Sequence, residues 1–152
     1  MESGENKGSE IAEFLAGVDL FRYVKPDALE SLAPRIRLVY LPEGPIVKES
    51  DPVDGLYIIK SGMAKVTKSA ERWEAEAVLA ILRPGQCFGE IGLIDGLSRS
   101  ANVTAMEPTQ CYFLPREAFL QALEESPEIG AGMLPALAAM VRSADRWVAQ
   151  LL

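Results

Sequence analysis

The sequence predicts a mainly β domain, an antiparallel sandwich or jelly roll flanked by helices at both ends. Three observations carry this. Seven short runs of β-type residues lie between Ile36 and Leu114, glycine- and proline-bearing turn signals separate them, and apolar residues recur at helical spacing before and after.

The helical start rests on Ile11, Phe14, Leu15 and Val18, and a second short helix opens at Lys25-Pro26-Asp27, with Pro26 in its first turn and Ala28, Leu29 and Leu32 behind it. Pro34 is expected to end that helix. The strands are read at Ile36 to Tyr40, Ile46 to Lys48, Leu56 to Ile59, Met63 to Thr67, Ala77 to Leu82, Ala101 to Ala105 and Gln110 to Leu114. Turns are read at Pro42-Glu43-Gly44, Asp54-Gly55, Lys60-Ser61-Gly62 and Arg83-Pro84-Gly85. Helical character returns at Arg116 to Leu123, and Ser126-Pro127-Glu128 reads as cap, first-turn proline and first-turn acid of a terminal helix toward Leu152. Pro135 is expected to kink or split it. Residues 1–10 are polar and are expected to form a disordered tail, leaving one domain over 11–152, with strands over about 35–114 and terminal helices over about 116–152.

Charge and composition narrow the function. Fifteen basic against 22 acidic residues give a net charge of −7, which opposes DNA binding by the chain alone. The apolar stretch from Met133 to Val141 is far short of a membrane span, and no apolar signal core begins the chain, so a cytoplasmic location is the default. Two cysteines, Cys87 and Cys111, make no C-x-x-C pair and are expected as core strand residues. The absence of histidine removes the commonest general base, zinc ligand and proximal haem ligand together, so neither an enzyme nor a metal or haem sensor is indicated.

The most informative segment is 88–105, Phe-Gly-Glu-Ile-Gly-Leu-Ile-Asp-Gly-Leu-Ser-Arg-Ser-Ala-Asn-Val-Thr-Ala. It combines Gly89 for close backbone approach, the Glu90 carboxylate, a short helix that Gly96 is placed to end in the left-handed conformation, and Arg99 beside Ser100. Such a set suits a small ligand carrying an anionic group and a sugar hydroxyl. Arg99 offers a permanently charged planar fork, Ser100 a hydroxyl, and the backbone of the short helix and of Ser100-Ala101 further donors.

This stretch resembles the phosphate-binding cassette of the cyclic-nucleotide-binding domain, and the order of helices, strands, inserted cassette and terminal helices resembles that family over roughly 11–150. The phrase Gly55-Leu56-Tyr57-Ile58-Ile59-Lys60-Ser61-Gly62, with Gly44, Gly85 and Gly89, looks like the family's framework turns. The resemblance implies a β-roll, a cupin-like double-stranded β-helix. It implies that Arg99, Ser100 and Ala101 receive the cyclic phosphate and that Glu90, with Gly89 and Ile91 beside it, receives the ribose 2′-hydroxyl. Val66 and Leu79 align with the base-facing wall. Ser143, Ala144 and Asp145 fall near the position where the family's last helix meets the purine, and Trp147 either stacks on the base or serves as a packing or dimer residue on the apolar stripe Leu137, Met140, Val141, Ala144, Val148 and Leu151. Serine after the arginine resembles the bacterial cAMP receptors, so cAMP is favoured and cGMP kept open. The family usually has glycine in place of Ser50, which leaves the conformation of the Glu49-Ser50-Asp51 turn open; that turn is expected to lie away from the ligand.

The function implied is a cyclic-nucleotide sensor without a cofactor, its occupancy passed through the C-terminal helix to a protein effector or a second copy of the chain. The alternatives are a ligand-free β-roll scaffold and the sensory part of a longer transcription regulator.

Overall fold

The computed structural model of the protein describes residues 4–69 and 76–151. The single domain expected over 11–152 divides into two compact units, Arg35–Phe119 and the pair Met1–Pro34 with Leu120–Leu152.

The first unit is the β-roll. Its strands are β1 (Arg37–Leu41), β2 (Gly44–Val47), β3 (Gly55–Ser61), β4 (Ala64–Ser69), β5 (Glu76–Leu82), β6 (Cys87–Phe88), β7 (Asn102–Ala105) and β8 (Thr109–Pro115). They form two antiparallel four-stranded sheets, ordered β1-β8-β3-β6 and β2-β7-β4-β5. Seven follow the sequence reading to within two residues at each end. The two-residue β6 was not separable from its turn by pattern. Val47, Ala64 and Val103 from one sheet meet Ile59, Phe88 and Cys111 from the other in one buried cluster, as alternation on half-buried strands requires. Tyr57 stacks on Phe88 with ring centroids 4.9 Å apart and lies 4.7 Å from Phe113.

A bulge between β4 and β5 matters for the site. Val66 pairs with Ala80 and Thr67 with Val78, so Leu79 is the extra residue on β5. Trp73, read as lying in the loop before β5, falls outside the described residues.

The second unit is helical. Helix α1 spans Gly4–Ala16, so the expected tail is helical from Gly4 onward. Leu15 and Ala12 are buried and fix the helix, and extending a formed helix backward through polar residues costs little once it is nucleated. A 3-10 turn follows at Asp19–Phe21, and α2 (Pro26–Leu32) starts with Pro26 at its first position and ends before Pro34. Helix α4 (Arg116–Glu125) leaves the roll, and α5 (Glu128–Leu151) packs on the Asp19–Phe21 turn and on α2. Pro135 sits inside α5 without splitting it, so the lost backbone donor is absorbed within one continuous helix. Ile129, Met133 and Ala136 are buried; from Ala138 to Gln150 every described side chain is exposed. Among the described residues no helix is long and apolar enough to cross a membrane.

Candidate functional site: the cassette cavity

The segment after β6 turns sharply because Gly89 adopts φ +90°, and helix α3 (Glu90–Asp95) follows at once. Gly96, at φ +73°, ends α3 in the left-handed conformation, as its place in the sequence suggests. Chain 97–101 then returns to β7. Together these residues and the inner face of the β2-β7-β4-β5 sheet enclose a cavity of about 450 Å³.

The six cassette residues singled out by sequence, Gly89, Glu90, Ile91, Arg99, Ser100 and Ala101, all line this cavity. Its opposite wall is apolar, formed by Val47, Val66, Ala80, Leu82 and Val103. Val66 is part of this wall. Leu79, the bulged residue, is 59% exposed and does not line the cavity, whose wall takes Ala80 and Leu82 from β5 instead. Ser143 and Ala144 are exposed on α5 and do not line the cavity, and Ser143 borders a groove with Asp19, Arg22 and Tyr23. The side chain of Trp147 lies outside the described ones.

Arg99 is the electrostatic centre. Its side chain is only 5% exposed, and Nη2 donates to Asp54 Oδ1 at 2.8 Å and to the Gly55 carbonyl at 2.9 Å. Nε and Nη1 are buried and have no hydrogen-bond partner among the described residues. An unsatisfied buried donor costs about 1–3 kcal/mol, so this edge of the fork favours an added acceptor. Gly89 makes room for the fork, since a Cβ there would overlap Nη1 of Arg99. Its bare backbone therefore serves the arginine as well as any ligand.

Three backbone contacts fix the segment carrying Arg99. Ser50 N–H donates to the Arg99 carbonyl at 2.8 Å, Arg99 N–H donates to the Asp51 carbonyl at 2.9 Å, and Glu49 N–H donates to Asn102 Oδ1 at 2.8 Å. The Glu49-Ser50-Asp51 turn thus borders the main chain of Arg99, while none of its three residues lines the cavity. Ser50 adopts φ +75°, the conformation a glycine would supply, and is the sole non-glycine residue with positive φ among those described.

Asp54 was missed as a site residue because it lies 45 residues from Arg99 in sequence. Asp-Gly there reads as a turn, and nothing local tells which cation the carboxylate meets. It is 58% exposed and also accepts from Tyr57 Oη at 3.3 Å. Burial, reinforced by the Asp54 charge and that hydrogen bond, pushes the Tyr57 hydroxyl up to about 12, against the opposing pull of Arg99. Burial likewise raises the Glu90 carboxyl above its usual range, opposed by its own backbone N–H and by Arg99. Burial thus disfavours the charged carboxylate while the backbone donor and Arg99 favour it, and in that form it can accept hydrogen bonds. Cys87 also lines the cavity rather than the core, whereas Cys111 is fully buried, its thiol pushed up to about 11 by desolvation. No group of three or more metal-ligating side chains is present among the described residues.

Known proteins resemble the chain in sequence and fold. The CRP-like cAMP-activated global transcriptional regulator of Mycobacterium tuberculosis is 31% identical over 141 residues, spanning 92% of this chain and 62% of the relative. The cGMP-dependent protein kinase of Toxoplasma gondii is 38% identical over 111 residues, spanning 72% of this chain and 10% of the kinase. The crystal structure of Thermus thermophilus catabolite activator protein superposes with a TM-score of 0.76 at 30% identity, covering 88% of this chain and 62% of that one. Relatives thus include transcription regulators and cyclic-nucleotide-dependent kinases, and the chain spans less than two thirds of each of these three. The family model of the cyclic nucleotide-binding domain matches residues 37–126, a range that takes in all eight strands and the whole cassette, and the chain belongs to that family.

Proposed function

We propose that the chain is a cAMP-binding regulatory module that acts by binding and catalyses nothing. The observation that carries this reading is the unpartnered Nε and Nη1 edge of buried Arg99 in a cavity that is otherwise mostly apolar. One phosphodiester charge pairs with that edge and with the Ser100 hydroxyl, the ribose 2′-hydroxyl donates to Glu90, and the base lies against Val66, Ala80 and Leu82. Neighbouring backbone at Ser100-Ala101 adds donors. Support for cAMP over cGMP comes from Ser100 and from the name of the M. tuberculosis relative; the T. gondii kinase keeps cGMP as the competitor.

The output is the C-terminal helix. Leu134, Val141 and Val148 recur every seven residues on α5 with Leu137, Ala144 and Leu151 between them, and the described members beyond Ala136 are exposed or half-buried. That seam supports contact with a second copy or a protein effector. Net charge −7 supports a module that does not itself bind DNA, and a cytoplasmic location fits its ligand. Calorimetric titration with cAMP and cGMP tests the core of the reading: tight, stoichiometric cAMP binding is expected, and no heat with either ligand overturns it in favour of a ligand-free scaffold.

A further inference from the structure

Arg116 lies outside the cavity yet holds one end of the helix that builds it. Its Nε donates to the Leu93 carbonyl at 3.1 Å, and Nη2 stands 3.5 Å from the Ile94 carbonyl, so the guanidinium covers carbonyls that α3 leaves open at its C-terminus. The guanidinium also occupies the space beside Gly96: a Cβ on that glycine would come within 2.9 Å of Arg116 Cζ and Nη2. From its backbone, Arg116 N–H donates to the Asp54 carbonyl at 3.0 Å, and Asp54 is the residue whose carboxylate pairs with Arg99. One residue therefore touches both the far end of the Glu90 helix and the turn that seats the arginine.

We infer that Arg116 is a positioning residue of the nucleotide site. A helix of six residues has little stability of its own, because the nucleation cost is spread over very few hydrogen bonds. Without a cap on its carbonyl end, α3 frays from Gly96 backward, and Glu90 loses the fixed orientation that a hydroxyl partner needs. Arg116 supplies that cap from the first residue of α4, so the orientation of Glu90 is tied to the place where the chain leaves the roll. This rests on the cyclic-nucleotide reading for its effect on affinity, though not for its effect on α3.

The experiment uses Arg116→Ala and Arg116→Lys in the full chain, with two readouts. Hydrogen exchange without nucleotide follows the amides of Leu93, Gly96 and Leu97, which donate to Gly89, Gly92 and Asp95. Calorimetry follows cAMP and cGMP. Arg116→Ala is expected to accelerate exchange across 90–97 while leaving β8 protected, and to weaken cAMP binding about 10-fold, with Arg116→Lys restoring part of both. Unchanged exchange at 90–97 in the alanine variant overturns the inference. So does parent-like affinity in the presence of altered exchange, since α3 would then be free to fray without consequence. Absence of nucleotide binding by the parent refutes the functional reading instead, and the exchange result still decides whether Arg116 holds α3. Global unfolding of Arg116→Ala leaves the lysine variant to decide: intact exchange and affinity with a shorter, non-planar cation would show that the two-carbonyl cap is dispensable.

Discussion

The Ser50 amide holds the carbonyl of Arg99 at 2.8 Å from a backbone at φ +75°, where an L-residue is strained. The strain sits in the turn that fixes the main chain of the buried arginine. Replacing Ser50 by glycine relieves it, while glycine's larger unfolded entropy returns part of the gain. Ser50→Gly is expected to stabilise the fold by up to about 1 kcal/mol in urea denaturation, with cAMP affinity unchanged. Ser50→Val, β-branched and unsuited to that conformation, should cost about 1–3 kcal/mol and weaken binding. A neutral valine variant would show that the turn tolerates rearrangement and does not position Arg99.

Arg99→Ala should weaken cAMP binding by about 2–5 kcal/mol, the range for removing one partner of a desolvated charge pair. The fold should survive, because the partner left behind, Asp54, is 58% exposed and can be hydrated. Arg99→Lys keeps the charge and loses the fork, so its affinity should fall between the two. Parent-like binding by the alanine variant, measured by calorimetry, would remove the phosphate from this edge of the cavity.

Glu90 gives a pH signature whose sign is fixed. Its carboxyl is held up by burial, so the folded protein keeps that proton to a higher pH than the unfolded chain does. The nucleotide-free protein should therefore lose stability as pH rises from the ordinary value of 4.5 through the raised one, and Glu90→Gln should abolish that decline. In binding, the parent should prefer cAMP over 2′-deoxy-cAMP by about 1–3 kcal/mol, and the glutamine variant by less. Equal affinity of the parent for both ligands would take Glu90 out of the ribose site.

Ala80 lines the cavity and Leu79 does not, so on the proposed reading Ala80 is the β5 residue that meets the base. Ala80→Phe should fill the cavity and reduce cAMP binding at least 10-fold, whereas Leu79→Ala, a truncation at a 59% exposed position, should change affinity little. The reverse pattern would mean that the β4–β5 register differs in the bound protein.

The terminal helix can be followed directly. Trp147 lies on α5, so a Trp73→Phe protein reports on that helix by fluorescence. Saturating cAMP should change its emission and the hydrogen exchange of residues 136–151. No change in either, with binding verified by calorimetry, would leave the nucleotide without an output through α5. A gel shift of duplex DNA by the same protein, at physiological salt, would contradict the expectation from its net charge.

What could be read from the sequence was what is covalently local. Gly89, Glu90, Ile91, Arg99, Ser100 and Ala101 lie within 13 positions, so their order and spacing already place them around one turn and one short helix. Strands and their turns were legible for the same reason. What escaped was set by contacts between residues distant in sequence: the β4–β5 register that places the bulge at Leu79, the carboxylate that Asp54 brings to Arg99, and the carbonyls that Arg116 covers from 23 residues away. The conformation of the Ser50 turn stayed open because a departure from glycine in sequence says nothing of whether serine can be forced into glycine's conformation. Pro135 failed to split α5, and α1 reached back to Gly4, because helix ends and interruptions answer to packing as much as to propensity.

The buried fork of Arg99 has a consequence for fidelity in a crowded metabolite pool. A neutral nucleoside entering the cavity would displace water and still leave Nε and Nη1 unsatisfied. A triphosphate would bring several charges to a recess that has one guanidinium, its Nη2 already engaged by Asp54 and Gly55. On the proposed cyclic-nucleotide reading the cavity would thereby screen by valence before it reads a base, favouring a compact monoanion over both poorer and richer ligands.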